Sequence, residues 1–217
     1  MRLSARHAAT IALIALALVA CGAAQPPSST AGTAHPVGMT PAPEPLLPDE
    51  GQRSTSPEET SDWTTDRSPG QKWLLDPCGP TDYPTDRQRV SFRTVSQTGP
   101  EYHSARQLGT YATADVAAEV LAGFRRALAA CASGRTADGA TWKWATRDVN
   151  GLGDEAFVAA TTIGKVDEPR FGSRIAVTRV GPMVFMAYGS GEFFTAEVDD
   201  EGARTIREVA RRFVDSL

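Results

Sequence analysis

Nine of the fifteen prolines in this 217-residue chain fall between positions 22 and 70, and that clustering restricts where a folded core can be built. The same stretch is filled with Ser, Thr, Gly and acids. With few large apolar residues it cannot bury enough surface to offset the entropy of ordering it. Residues 21–70 are therefore expected to form a disordered linker, with an r.m.s. span of about 40 Å if it behaves as a flexible chain. Seven acids (Glu44, Asp49, Glu50, Glu58, Glu59, Asp62, Asp66) face only Arg53 and Arg67 there, a balance that repels an anionic membrane. Residues 71–217 are expected to form the one folded domain, long enough to build a full core.

Ahead of the linker, Arg2 and Arg6 precede an apolar run from Ala8 to Ala20 broken only by Thr10. That run is short for a bilayer span and has the form of an export signal. It ends in Leu18-Val19-Ala20-Cys21-Gly22, which resembles the bacterial lipobox. The resemblance implies a signal peptide over residues 1–20 and a diacylglyceryl group on Cys21. It also implies an anchor on the outer face of the cytoplasmic membrane. Two acyl chains at about 0.8 kcal/mol per buried methylene hold such an anchor without a transmembrane helix. The alternative is an ordinary secretory signal with a chance cysteine.

Within residues 71–217, hydrophobic periodicity points to six strands and two helices. Val90–Val95, Ser104–Tyr111, Thr141–Val149, Glu155–Ile163, Arg174–Val180 and Met183–Tyr188 read as strands. In the first of these, Val90 and Phe92 are placed on one face and Arg93 on the other. Thr113 is a plausible N-cap for a helix whose Val116, Val120, Leu121, Phe124, Leu128 and Cys131 share one side, with Gly134 as its stop. A second amphipathic helix starts near Asp200 and buries Ile206, Val209, Ala210, Phe213, Val214 and Leu217. Gly151-Leu152-Gly153-Asp154 reads as a turn, and Gly181-Pro182 as a tight hairpin whose glycine takes positive φ. The order ββαββββα, joined by hairpins, predicts an α+β domain: one antiparallel sheet with both helices packed on one of its faces.

If Cys21 carries lipid, Cys78 and Cys131 remain as an even pair in an oxidising compartment, and a disulfide between them is expected. It would pin the entry loop to the end of the first helix.

Several short motifs together resemble a group of actinobacterial lipoproteins related to the extracellular sensor domain of PknH-type serine/threonine kinases. They are Leu75-Asp76-Pro77-Cys78, the stretch Tyr111-Ala112-Thr113-Ala114-Asp115 leading to Ala129-Ala130-Cys131, Gly151-Leu152-Gly153-Asp154-Glu155-Ala156, and the Val180-Gly181 hairpin. The resemblance covers most of residues 73–217 and implies a ligand, of unidentified nature, bound in a cleft of an α+β domain. Domains of this type carry two disulfides where this chain can form one. The sequence has no kinase domain, so under this resemblance any sensing passes through a partner. No ligand residue can be carried over.

The chemistry-bearing residues are few. With nineteen acids against eighteen bases in residues 71–217, the domain lacks the basic field that nucleic-acid binding needs. No cofactor is expected: Gly151-Leu152-Gly153 lacks the rest of a dinucleotide fingerprint. His103 is the one histidine after residue 35, too few for a zinc site. A hydrolase would need His103 to face a serine and an acid, with no nucleophile elbow to help; no catalytic set is assigned. Asp154-Glu155 and Asp199-Asp200-Glu201 are accounted for by turn and cap chemistry. Candidate binding residues are Trp142 and Trp144, on one side of their strand, and Phe193-Phe194. If left uncovered, they would offer an apolar platform to a lipid, glycan or peptide. Three functions remain open: a tethered ligand- or partner-binding (sensor-like) module, a cell-envelope hydrolase using His103, and a structural or assembly lipoprotein.

Overall fold

The computed structural model describes residues 44–53, 62–68, 70–79, 82–137, 139–165, 171–192 and 197–217. The expected export signal and Cys21, most of the expected linker, and Phe193 and Phe194 lie outside the described residues. In chain order the elements are β1 (Thr64–Asp66), a turn of 3-10 helix (Pro84–Gln88), β2 (Arg89–Thr98), β3 (Tyr102–Tyr111) and α1 (Ala114–Ala130). Then come β4 (Ser133–Arg135), β5 (Thr141–Asp148), β6 (Glu155–Gly164), β7 (Phe171–Val180), β8 (Met183–Glu192) and α2 (Glu201–Asp215). The eight strands make one antiparallel sheet in the order β1-β2-β3-β8-β7-β6-β5-β4. The α+β architecture and all six long strands match the sequence reading; the short edge strands β1 and β4 are additions.

Local chemistry sets the element ends. The Thr113 hydroxyl accepts the Val116 N–H at 3.3 Å, and Asp200 Oδ1 accepts that of Ala203 at 2.8 Å, each satisfying an orphan donor of the first turn. Val180 pairs with Met183 across a two-residue turn in which Gly181 takes φ +53°. The Gly151–Asp154 turn is locked to that hairpin, since Asp154 Oδ2 accepts from Gly181 N and Arg179 Nη1, both at 2.8 Å. A Cβ on Gly153, at φ +71°, would fall 2.5 Å from the Arg179 carbonyl oxygen, so only glycine fits there.

The helices do not share a face, contrary to the expectation that both cover the same side. On α1, Val120, Leu121, Phe124 and Leu128 pack with Phe92, Phe157, Ile175, Val177, Val184 and Met186. On α2, Ile206, Val209, Ala210 and Phe213 pack with Val158, Ala176, Phe185 and Ala187. Neighbouring residues of one strand point to opposite sides, so the helices sandwich the sheet. The physical reason lies in the central strands: Phe157 to Ala160, Ile175 to Val177 and Val184 to Ala187 are buried without interruption. Unbroken apolar runs mean cover on both faces. Phe213, fully buried, stacks on Phe185 with centroids 4.3 Å apart. Phe213→Ala is expected to cost about 3–5 kcal/mol, read as a lower urea midpoint at unchanged m-value.

A second correction concerns the linker. Residues 44–53 and 62–68 lie on the folded unit, which begins at Pro43. β1 extends the sheet by pairing with Thr94–Ser96 of β2. Leu47 is buried in the α2-side core. Around it, three acids of this proline-rich strap meet two buried arginines. Arg93, 1% exposed, lies 3.3 Å from Glu50 and 3.6 Å from Glu44 and donates to the Pro45 carbonyl. Arg106 sits 2.8 Å from Asp49, which also takes Arg212 at 3.2 Å. Val90, placed on one face with the buried Phe92, is 70% exposed. Leu217, assigned to the buried side of α2, is also exposed.

Candidate binding face

One half of the α1 face is closed by an aromatic layer supplied by the entry segment. Trp73 meets Phe92 and Phe124 edge-on at 4.8 and 5.4 Å, and the Tyr83 hydroxyl donates to the Leu75 carbonyl at 2.7 Å. The helix ends where Cys78 bonds to Cys131, with Cα atoms 5.3 Å apart, so the expected disulfide joins the entry loop to the α1 C-terminus.

Beyond that layer, toward the Glu192 end of β8, the strand register lays out two rows on the same side of the sheet. One runs Trp144, Thr161, Ser173, Ser190, His103; the next runs Trp142, Ile163, Phe171, Glu192. The outer row is open: Ile163 is 42% and Phe171 52% exposed. Large apolar side chains left out of a core in a contiguous row mark an interaction surface more than a random scatter does.

The two tryptophans have different surroundings. Trp144 packs partly against the α1-side core and borders a cavity of about 360 Å³ under the last turns of α1, with Leu128, Ala129, Phe157 and Asp148 around it. Trp142 lies over β4, where a Cβ on Gly134 would come within 2.1 Å of its indole ring. That close approach is why position 134 is glycine; α1 itself ends three residues earlier, at the Cys131 cap. The platform expected from the pair is therefore divided, Trp144 half in the core and Trp142 at the edge. Phe193 and Phe194 cannot be placed beside them.

The first row and Tyr188, one row further in beside Ala105 and Ile175, carry a set of neutral polar groups. The Tyr188 hydroxyl is 3.1 Å from Ser173 Oγ, and the His103 ring is 5.5 Å from the Tyr188 ring. His103 pairs across the strands with Ser190. Burial pushes the His103 pKa below the ordinary histidine value, which favours the neutral imidazole. A hydrolytic triad needs a carboxylate to hold the histidine tautomer and stabilise its cation; among the described residues none is paired with His103. What the row offers is hydrogen bonding by neutral donors and acceptors. Among the described residues no cluster of His, Cys, Asp and Glu could hold a metal ion, and no helix is long and apolar enough to cross a membrane.

Ile163, Phe171, Ser173, Tyr188 and Ser190 were not legible as site residues, because only the register of four strands brings them beside His103. The paired acids behave as expected of turn and cap residues: Glu155 and Asp148 hold Arg125, Asp199 holds Arg147, and Asp200 holds Arg174 as well as capping α2.

No protein-family model matches the chain, and no curated protein matches it. Among solved structures, the extracellular domain of PknH from Mycobacterium tuberculosis is similar at 13% identity and a TM-score of 0.44. The match covers 60% of this chain and 66% of that one, so just under two thirds of the PknH domain is spanned. At that identity the likeness concerns the fold and nothing about ligand or activity.

Proposed function

We propose that this protein is an exported lipoprotein, acylated at Cys21, whose domain is a binding module on the outer face of the cytoplasmic membrane. Its ligand site is the half of the sheet that α1 leaves uncovered. The observation that carries the binding reading is the unequal cover of the two faces. α2 and the strap close one side over Val158, Ala176, Phe185 and Leu47. The other side keeps Ile163 and Phe171 in solvent next to the Ser173–Tyr188–His103 set. Flat apolar groups beside neutral hydroxyls and an imidazole suit an uncharged ligand with both faces and polar edges, as a sugar ring or a peptide has. The disulfide is consistent with an oxidising compartment.

The site reading is tested by titrating the chain with soluble cell-wall glycan fragments and with short peptides, following tryptophan fluorescence. Binding that falls at least tenfold in Phe171→Ala, with the fold intact by circular dichroism, is the expected result. Binding unaffected by both Phe171→Ala and Tyr188→Phe would remove this face from consideration. Mass spectrometry of the mature N-terminus tests the anchor separately; an unmodified polypeptide starting elsewhere than Cys21 would overturn it. A second reading, hydrolysis through His103, draws on its pairing with Ser190; an envelope-ester hydrolase activity that survives His103→Ala would end it.

A further inference from the structure

The β5 edge of the sheet is covered for only half its length. β4 pairs with Thr141, Trp142 and Lys143, and the contact ends where the Trp144 N–H donates to the Ala132 carbonyl at 2.8 Å. Val149 points its N–H the other way, to the Ala156 carbonyl of β6. Main-chain groups alternate in direction along an antiparallel strand, so Thr146 and Asp148 turn their N–H and C=O groups outward, as Trp144 does. Among the described residues no strand pairs with that outer side. The edge also borders the cavity of about 360 Å³ under α1, in which Leu128, Ala129, Ala132, Trp144 and Phe157 supply the apolar walls. At its mouth Arg125 lies 4.9 Å from the centre of the Phe157 ring and is held by Asp148 and Glu155. Arg179 pairs with Glu155 and Asp154, so three carboxylates there face two guanidinium groups. The Asp148 side chain is 76% exposed and open to a further cation.

We propose that Thr146–Asp148 takes an extended segment of a partner protein as an added strand. One large apolar side chain of that segment enters the cavity, and a lysine or arginine two residues from it meets Asp148. Outward N–H and C=O groups in alternation are matched by a peptide main chain, which gives affinity, while a pocket beside the edge gives specificity. Residues two apart on a strand share a face, and Thr146 and Asp148 are on the α1 side with Trp144, since Asp148 pairs with Phe157. An opposite charge directly across from Asp148 is the favoured cross-strand pair. The cavity is at the low end of the size range for ligand pockets, enough for one such side chain. A second copy of this chain fits poorly: pairing both Thr146 and Asp148 edge to edge would set Arg147 opposite Arg147, a like-charge pair. The proposal rests neither on the Ile163–Phe171 face nor on acylation at Cys21.

The test titrates the chain by calorimetry with acetylated, amidated five-residue peptides that carry leucine and lysine two residues apart among threonines, in both orders. The expected result is binding of at least one order, which gives the strand direction. It should weaken tenfold or more when the lysine is replaced by glutamate, when the leucine is replaced by aspartate, or when the central peptide nitrogen groups are methylated. Thr146→Pro removes an outward N–H that the ladder does not use, a place where a strand edge tolerates proline. Ala129→Phe fills the cavity from an exposed helix position. Each should weaken binding tenfold or more, with circular dichroism as the check on folding, and Glu101→Gln in the β2–β3 turn should bind as the parent does. No binding at about 1 mM peptide, a free energy near 4 kcal/mol, would overturn the proposal. So would equal binding by both Thr146→Pro and Ala129→Phe, or binding lost in Phe171→Ala and kept in Thr146→Pro, which would assign the peptide to the other face.

Discussion

Asp49→Ala is expected to destabilise the protein by about 3–5 kcal/mol, the cost of stranding a buried charge. Its carboxylate is the partner of Arg106, whose side chain is 6% exposed, and it also ties down Arg212 of α2. Burial pushes the Arg106 guanidinium pKa down while Asp49 opposes that shift, so removing the acid leaves a cation with neither water nor counter-ion. Equilibrium urea unfolding at neutral pH measures the loss. Asp49→Asn combined with Arg106→Met should recover most of it, because Asn tolerates the φ of +68° at this position and no buried charge is left stranded. A single variant within about 0.5 kcal/mol of the parent, the range of an ordinary surface change, would mean that the strap does not hold the sheet. The same cluster sets a pH dependence. Burial acts to raise the Glu44 pKa, but the Ser91 hydrogen bond and the charges of Arg93 and Arg67 outweigh it and hold it below the ordinary value. A carboxyl lowered in the folded state contributes stability above its unfolded pKa and loses it as pH falls through the folded one. Acid unfolding should therefore start earlier in parent than in Glu44→Gln when each is scaled to its own neutral-pH stability.

Cys78→Ala/Cys131→Ala is the second large effect. The two cysteines are 53 residues apart, and closing a loop of that size removes unfolded-chain entropy worth about 4 kcal/mol, an upper figure because the native state is taken as unstrained. The bond holds the entry segment, and with it Trp73 and Tyr83, over Phe92 and Phe124. Its loss should expose that aromatic layer as well as weaken the fold. Urea unfolding with and without reductant gives the comparison, and Trp73 fluorescence should shift to the red on reduction. Oxidised and reduced protein differing by less than about 1 kcal/mol would show that packing, and not the crosslink, fixes the α1 C-terminus, since loops of this length are assigned several times that figure.

Both predictions bear on how far local pattern reaches. Thr113 and Asp200 were legible as caps, and Val120, Phe124 and Leu128 as one face of a helix, because capping and a 3.6-residue period are properties of neighbours in the chain. The strands and the Gly181 turn were legible for the same reason, and the pairing of Cys78 with Cys131 by count, as the two cysteines that remain beside Cys21. The burial of Arg93 was not legible, because its partners, Glu44 and Glu50, are more than forty residues away in a stretch whose composition reads as disorder. Proline and acid content describe what a segment does alone; they do not register that Leu47 fills a gap beside α2 or that two interior arginines need carboxylates.

The sequence by itself determined the parts list and its order: the α+β class, the ends of the helices, the long strands and the disulfide. Tertiary structure decided which side of the sheet each helix takes, that the proline-rich strap belongs to the fold, and that His103, Tyr188, Ser173 and Phe171 share one open face. The reason is the range of the forces involved. Backbone hydrogen bonds and hydrophobic period act between near neighbours and leave a trace in the order of residues. Charge neutralisation and the choice of covered face depend on strand register, which joins residues far apart in the chain, and its consequences appear only when the sheet is assembled.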